Sequence, residues 1–213
     1  MNSNGDALAL ATARYDSAMA RFDAANAEDP NREAVDGRAE PKELVYGLRM
    51  SAMLVRFAPE SSEGVKLAAR CQHIRRWEIP RDSYPRDKVG YKAWRTRLQQ
   101  FHAEIAGDIL AEVGYDPALI TRVQSLLRKE SLKRDPETQT LEDVIGLVFL
   151  EHYLVGFVDQ HPEYDDAKWI DILQKTWRKM SPSGHLAALT LIKLPHALLP
   201  LISKAVAPQP KAD

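Results

Sequence analysis

GYKAWRTRLQQFHAEIAGDILAEVGYD, Gly90 to Asp116, is the stretch whose reading decides the fold class. Its apolar residues recur at helical rather than alternating spacing. It reads as one long helix from about Lys88 to Val113, with Gly114 as the left-handed C-terminal cap that a residue without a Cβ adopts at little cost. The same period continues on both sides. Downstream, helices start at Asp116-Pro117, with proline in the first turn, and after Asp135-Pro136. They comprise DPALITRVQSLLRKE and a segment running through LEDVIGLVFLEHYLVGFV. After the turn at HPEYDD, KWIDILQKTWRKM is a further helix, and Ser181-Pro182 and Pro195 punctuate the tail.

Upstream, Leu8, Tyr15, Met19 and Phe22 share one stripe of a helix that stops near AEDPN, and NREAVDGRAEP follows as a polar connector. From Pro41, Leu44, Leu48, Ala52 and Val55 recur every three or four residues until Phe57-Ala58-Pro59. Ser61 or Ser62 caps a third helix that offers Val65, Ala68, Ala69 and Ile74 to the core, and Pro80 is the last point it can reach. Runs with a period of two are nearly absent, so no strand is expected. The expectation is an all-α protein, a single helical domain of eight or nine helices over residues 1–206, with PQPKAD in a flexible tail over 207–213.

A chain of 213 residues with 45% hydrophobic residues has enough apolar surface for a sizeable core. Its formal net charge of -1 provides no global field to gather nucleic acid or an anionic membrane, so anion binding must come from a local patch. The single cysteine, Cys71, excludes an internal disulfide and a multi-cysteine zinc site. It suits a reducing, cytoplasmic setting, and its expected role is core packing. MNSNGDALALATARYD lacks the basic start and apolar run of a signal peptide and reads as mature protein. The most apolar tract, His185 to Pro208, is interrupted by Lys193, Pro195, His196 and Pro200 and is not a spanning helix.

Three polar residues stand where the periodicity otherwise places core: His73, His102 and Asp143. Asp143, Leu147 and Glu151 are spaced by four and share a helical stripe. Burying a lone carboxylate costs several kcal/mol or shifts its pKa, so Asp143 needs a partner. Two imidazoles and a carboxylate on three helices suit a divalent metal such as zinc, iron, nickel or manganese. Glu78 and Glu151 are candidate acid/base groups or extra ligands, and Glu142 reads as a solvated neighbour. The alternative is two satisfied core histidines and a helix-to-helix acceptor. His152, His161, His185 and His196 read as surface or packing residues.

A second feature overlaps the first. Between Arg70 and Arg97 nine basic residues face three acidic ones, a net +6 in an otherwise acidic chain. Arg75, Arg76, Arg81 and Arg95 offer forks for phosphate or carboxylate, and Lys129 belongs to a small basic cluster after the next helix. Trp77, Tyr84, Tyr91 and Trp94 offer stacking faces. The ligand this predicts is small and anionic or phosphorylated; long-chain nucleic acid is not expected, because no groove-reading motif accompanies the charge. The alternative is a solvated basic loop paired with acidic helices elsewhere. Oligomeric state is not legible.

At QHIRRWEIPRDSYP, GYKAWR and LEDVIGLVFLEHYL the chain closely resembles the domain of unknown function 4202 family, over roughly Tyr15 to Leu194. That resemblance implies no activity. More distantly, the order of elements resembles the HD-domain metal-dependent phosphohydrolases, through VKLAARCQHIRRW, FHAEIAGDILAEVGYDPALITRV and DPETQTLEDVIGLVFLE. It implies an HD-like helical fold, a divalent metal and hydrolysis of a small phosphorylated or nucleotide substrate. Asp143 then takes the place of the last metal-binding aspartate and His102 that of an accessory histidine. The sequence departs from the pattern where Gln72-His73 replaces the His-Asp doublet, and no histidine precedes residue 73. Only Glu43 lies near the first ligand's position. On this reading a metal at His73, His102 and Asp143 activates water while Arg75, Arg76 and Arg81 neutralise developing charge. The rival reading is a non-catalytic HD-like protein that binds a small anion or a protein partner.

Overall fold

In the computed structural model, which describes residues 3–206, the long helix runs from Lys88 to Val113 (α4). The Asp87 side chain accepts from the backbone N–H of Gly90 at 2.7 Å to start it, and Gly114 ends it at φ 89°. Proline and capping residues set the other starts in the same way: Ser62 for α3 (Glu63–Arg70), Asp116 for α5 (Pro117–Leu127) and Asp135 for α6 (Pro136–Val148). Asp165 caps α8 (Asp166–Lys179) and Ser181 caps α9 (Pro182–Thr190). With α1 (Ser3–Ala27), α2 (Lys42–Phe57), α7 (Leu154–Asp159) and α10 (Leu199–Val206), the described residues hold ten α-helices.

The fold is all-α. Helix α2 packs on α3 and α6, α5 joins α3 to α4, and α1 lies across α2, α3 and α4. The last three helices attach through α6 against α8 and α9, and through α8 against α10. One apolar cluster runs through these layers from Ala18 to Ala205, with Phe22, Met50, Leu67, Leu110 and Leu147 fully enclosed. At about 25 cal/mol per Å² of buried apolar area, side chains of this size contribute roughly 1.5–3 kcal/mol each. No helix among the described residues is long and apolar enough to cross a membrane. The expected tail over 207–213 lies outside the described residues.

Four local expectations give way to packing or turn chemistry. The connector contains a two-stranded antiparallel hairpin, β1 (Arg32–Val35) and β2 (Arg38–Pro41). Asp36 and Gly37, both at positive φ, make the two-residue turn that Asp-Gly favours. Helix α2 buries Tyr46, Met50 and Met53, whereas Leu48 and Val55 are 44% and 64% exposed. Both stripes are apolar at helical spacing, and periodicity does not say which one meets the core. Helix α3 ends at Arg70, so His73 and Ile74 lie in the turns that follow rather than on a helix. The segment after Asp135 is also not one continuous helix: a π-helical turn, Phe149–Tyr153, separates α6 from α7.

Candidate functional site

Two buried polar residues at the end of α1 build the frame. Asp29 accepts from the backbone N–H of Asn31 at 2.8 Å and, through its other oxygen, from that of Glu43 at 3.0 Å. It thereby satisfies the first turn of α2, where Pro41 has no capping side chain to give. Asn26 donates to the Glu43 carbonyl at 3.3 Å and accepts from the backbone N–H of Arg75 at 3.0 Å. Arg75 sits at φ 51°, a left-handed conformation that few non-glycine residues adopt, and this bond helps to hold it there. One side chain thus brings the start of α2 against the turns carrying His73.

The resulting cluster centres on His73. Its Nδ1 lies 3.3 Å from Glu43 Oε2 and its Nε2 lies 3.1 Å from Arg76 Nη1. A guanidinium only donates, so Nε2 is the acceptor and Nδ1 carries the hydrogen that faces Glu43. The ring stacks on Tyr46 at 4.0 Å and faces the His102 ring at 5.9 Å. His102 donates from Nδ1 to the Ile74 carbonyl at 2.8 Å. A carbonyl only accepts, which leaves the neutral ring's Nε2 as a lone-pair acceptor, and that buried atom has no partner among the described residues. Arg76 also lies over the Trp94 ring at 4.9 Å. Lys129, another left-handed residue at φ 57°, turns inward and pairs with Glu142. Arg95 acts on both histidines through its charge and makes no ion pair among the described residues.

Burial dominates the electrostatics. It pushes the Glu43 carboxyl up to about 7, against the opposing pull of Arg76 and Lys42. Burial, reinforced by Arg76, Arg95 and Lys129, holds His73 well below the ordinary histidine value. Burial and then His73 do the same to His102, which is therefore neutral near pH 7. Burial also lowers the Lys129 ammonium, and Glu142 works against that. Burial by itself raises Glu142, but Lys129 beside it outweighs burial and holds the carboxyl below its usual range. His73 thus lies in the field of Arg76, Arg95 and Lys129, and His102 in that of Arg76 and Arg95, while both imidazoles stay neutral. Such a concentration of positive charge suits an anion.

The structure brings His73, His102 and Arg76 together, sets Lys129 against Glu142 and leaves Asp143 elsewhere. One Asp143 oxygen accepts from the Ser181 backbone N–H at 2.7 Å and from Gln139 at 3.1 Å, and the other accepts from the Ser181 hydroxyl at 2.6 Å. Asp143 is the acceptor that seats the start of α9. Three donors engage its two oxygens there, and a cation, Arg76, occupies the His73 Nε2 that a metal would need. Among the described residues no group of three or more His, Cys, Asp or Glu side chains is placed to hold a metal ion. The residues present do not fit the expected divalent metal.

Other expectations are corrected by similar commitments. Glu78 pairs with Arg75 at 2.5 Å on the surface, so neither meets the histidines. Glu151, displaced by the π-turn from the stripe of Asp143 and Leu147, binds Arg56 at 2.7 Å and the Lys193 backbone N–H at 3.0 Å. Arg81 donates to the carbonyls of Tyr84 and Pro85 at 2.9 and 2.7 Å, and Trp94 donates to the Ile79 carbonyl at 2.8 Å. These bonds fasten the loop to itself through Arg81 and Trp94. Tyr91 is 48% exposed and Trp77 half-buried. Glu142, expected in solvent, is buried against Lys129. Asn26, Asp29 and Tyr46 were missing from the expected set. The signal for Asn26 is its position four residues after Phe22, which continues the apolar stripe of α1.

No curated protein and no solved structure matches the chain. The family described as "Domain of unknown function (DUF4202)" matches residues 16–202, a span that includes every residue of the cluster, and the chain belongs to that family.

Proposed function

We propose that the chain binds a small phosphate-bearing anion at the cluster of His73, Arg76, His102, Arg95 and Lys129. The observation that carries this reading is the Arg76 guanidinium on His73 Nε2 beside the neutral His102 ring, in the field of Arg95, which makes no ion pair among the described residues. Charged hydrogen bonds contribute about 1.5–3 kcal/mol each, so each cation that touches the anion is worth roughly ten-fold or more in affinity. The free, buried Cys71 is consistent with a cytoplasmic setting. Titration calorimetry with inorganic phosphate and with pyrophosphate tests the reading. The expected outcome is saturable binding that weakens about ten-fold or more in Arg95→Ala. Absence of binding to either anion, or an unchanged affinity in Arg95→Ala, removes it.

Phosphohydrolysis is the second reading, favoured by one observation. Glu43 and His73 form a pair in which a carboxyl orients an imidazole, the arrangement of a base and its orienting group. It is proposed without a metal, since the expected ligand set is not assembled. Turnover of p-nitrophenyl phosphate that disappears in His73→Ala is its expected result; equal rates in both proteins discard it.

A further inference from the structure

The cluster offers an entering anion mainly donors. Arg76, Arg95 and Lys129 donate only, and they match oxygens that carry lone pairs. His102 is the exception: Nδ1 is spent on the Ile74 carbonyl, and Nε2 is an acceptor, buried, on a residue that is 3% exposed, and without a partner among the described residues. A fully deprotonated oxyanion satisfies the donors but turns a lone pair toward Nε2. An oxyanion with its own O–H satisfies both.

Resting on the anion-binding reading above, we infer that the site selects oxyanions that carry their own O–H, hydrogen phosphate over sulfate, with His102 Nε2 as the acceptor that detects the proton. The two anions share size and tetrahedral shape, and near neutral pH phosphate retains an O–H while sulfate has none. Sites built to hydrogen-bond a ligand's O–H reject analogues that lack it, because a buried polar group is then left unpaired. Nε2 is closed off from water in the ligand-free chain. Entry of the anion therefore requires a side-chain shift, and the long Arg76 side chain, held at 3.1 Å by His73 Nε2 and at 3.9 Å from Glu43, is the one placed to turn onto the anion.

Calorimetric titration of the parent chain with phosphate and with sulfate, at pH 7 and matched ionic strength, is the direct test. Phosphate is expected to bind about ten-fold or more tighter than sulfate. In His102→Asn the side-chain amide N–H replaces the Nδ1 donor to Ile74 while the Nε2 acceptor is gone, and the two affinities are expected to fall within about two-fold of each other. Equal affinity for the two anions in the parent overturns the inference while leaving anion binding intact, and so does a preference that survives in His102→Asn. Binding of neither anion by the parent removes both the inference and the reading beneath it. The parent comparison needs no variant, so a poorly folded substitution does not blunt it.

Discussion

Glu43 is the residue whose chemistry the fold alters most usefully. Its ordinary carboxyl value is 4.5, and burial pushes it up to about 7. Between those values the folded chain keeps a proton that the unfolded chain releases. The stability this contributes is fully present below 4.5 and is lost as pH rises through about 7, a difference on the order of 3 kcal/mol. Glu43→Gln keeps the shape and removes the titration. Its thermal midpoint is expected to fall less than the parent's between pH 5 and pH 8, and superimposable profiles would count against a buried, neutral Glu43. His73 and His102 act in the opposite direction. Both are depressed well below 6.5, so the unfolded chain takes up protons first and stability declines as pH falls below 6.5. Replacing either histidine by Asn is expected to flatten the acid limb of the same melting curves.

At the scale of elements, Asp143 is a structural joint between α6 and α9. It accepts from both Ser181 donors and lies against Gly184, where an added Cβ would come within 2.6 Å of its oxygen. Asp143→Ala leaves those donors unpaired at a buried helix start, at a cost of about 2–3 kcal/mol. Urea denaturation is expected to show that loss, with phosphate affinity in the folded fraction unchanged; a variant of parental stability that no longer binds phosphate would return Asp143 to the site. Gly114 makes a similar local test for α4. At φ 89° an alanine there costs about 1–2 kcal/mol by the same denaturation, with no effect on the cluster. The π-turn explains why the i, i+4 reasoning from Asp143 through Glu151 fails: an extra residue in the turn rotates all that follows.

Across the whole molecule, Asn26 links α1 to α2 and to the turns that carry His73, segments far apart in sequence. Asn26→Leu removes a buried donor and a buried acceptor together, and leaves the Glu43 carbonyl and the Arg75 N–H without their partner. A loss of about 2–4 kcal/mol is expected in urea, along with loss of the phosphate-induced rise in thermal midpoint that the proposed anion site predicts for the parent. Retention of the full phosphate response would show that the frame does not position the cluster. The charge distribution belongs to this scale too. The basic stretch Arg70–Arg97 is divided by folding: Arg75 and Arg97 pair with surface carboxylates, Arg81 staples its own loop, and Arg76 reaches His73.

The helices and their ends were legible in the sequence because their causes are local. A 3.6-residue apolar period, Asp-Pro and Ser-Pro starts and a glycine stop act within a few residues, and α4, α5, α6, α8 and α9 begin or end where those signals stand. The hairpin had a local signal as well, Asp36-Gly37, outweighed by its polar surroundings. That His73 and His102 need partners was also readable, since polar residues in an apolar setting are paired. Which partners they have was decided by tertiary structure. Whether Asp143 faces a histidine or the start of α9, whether Lys129 points to solvent or to Glu142, and which stripe of α2 meets the core depend on helix rotation and on contacts between residues distant in sequence. Periodicity determines that a face exists, and only packing determines what that face meets.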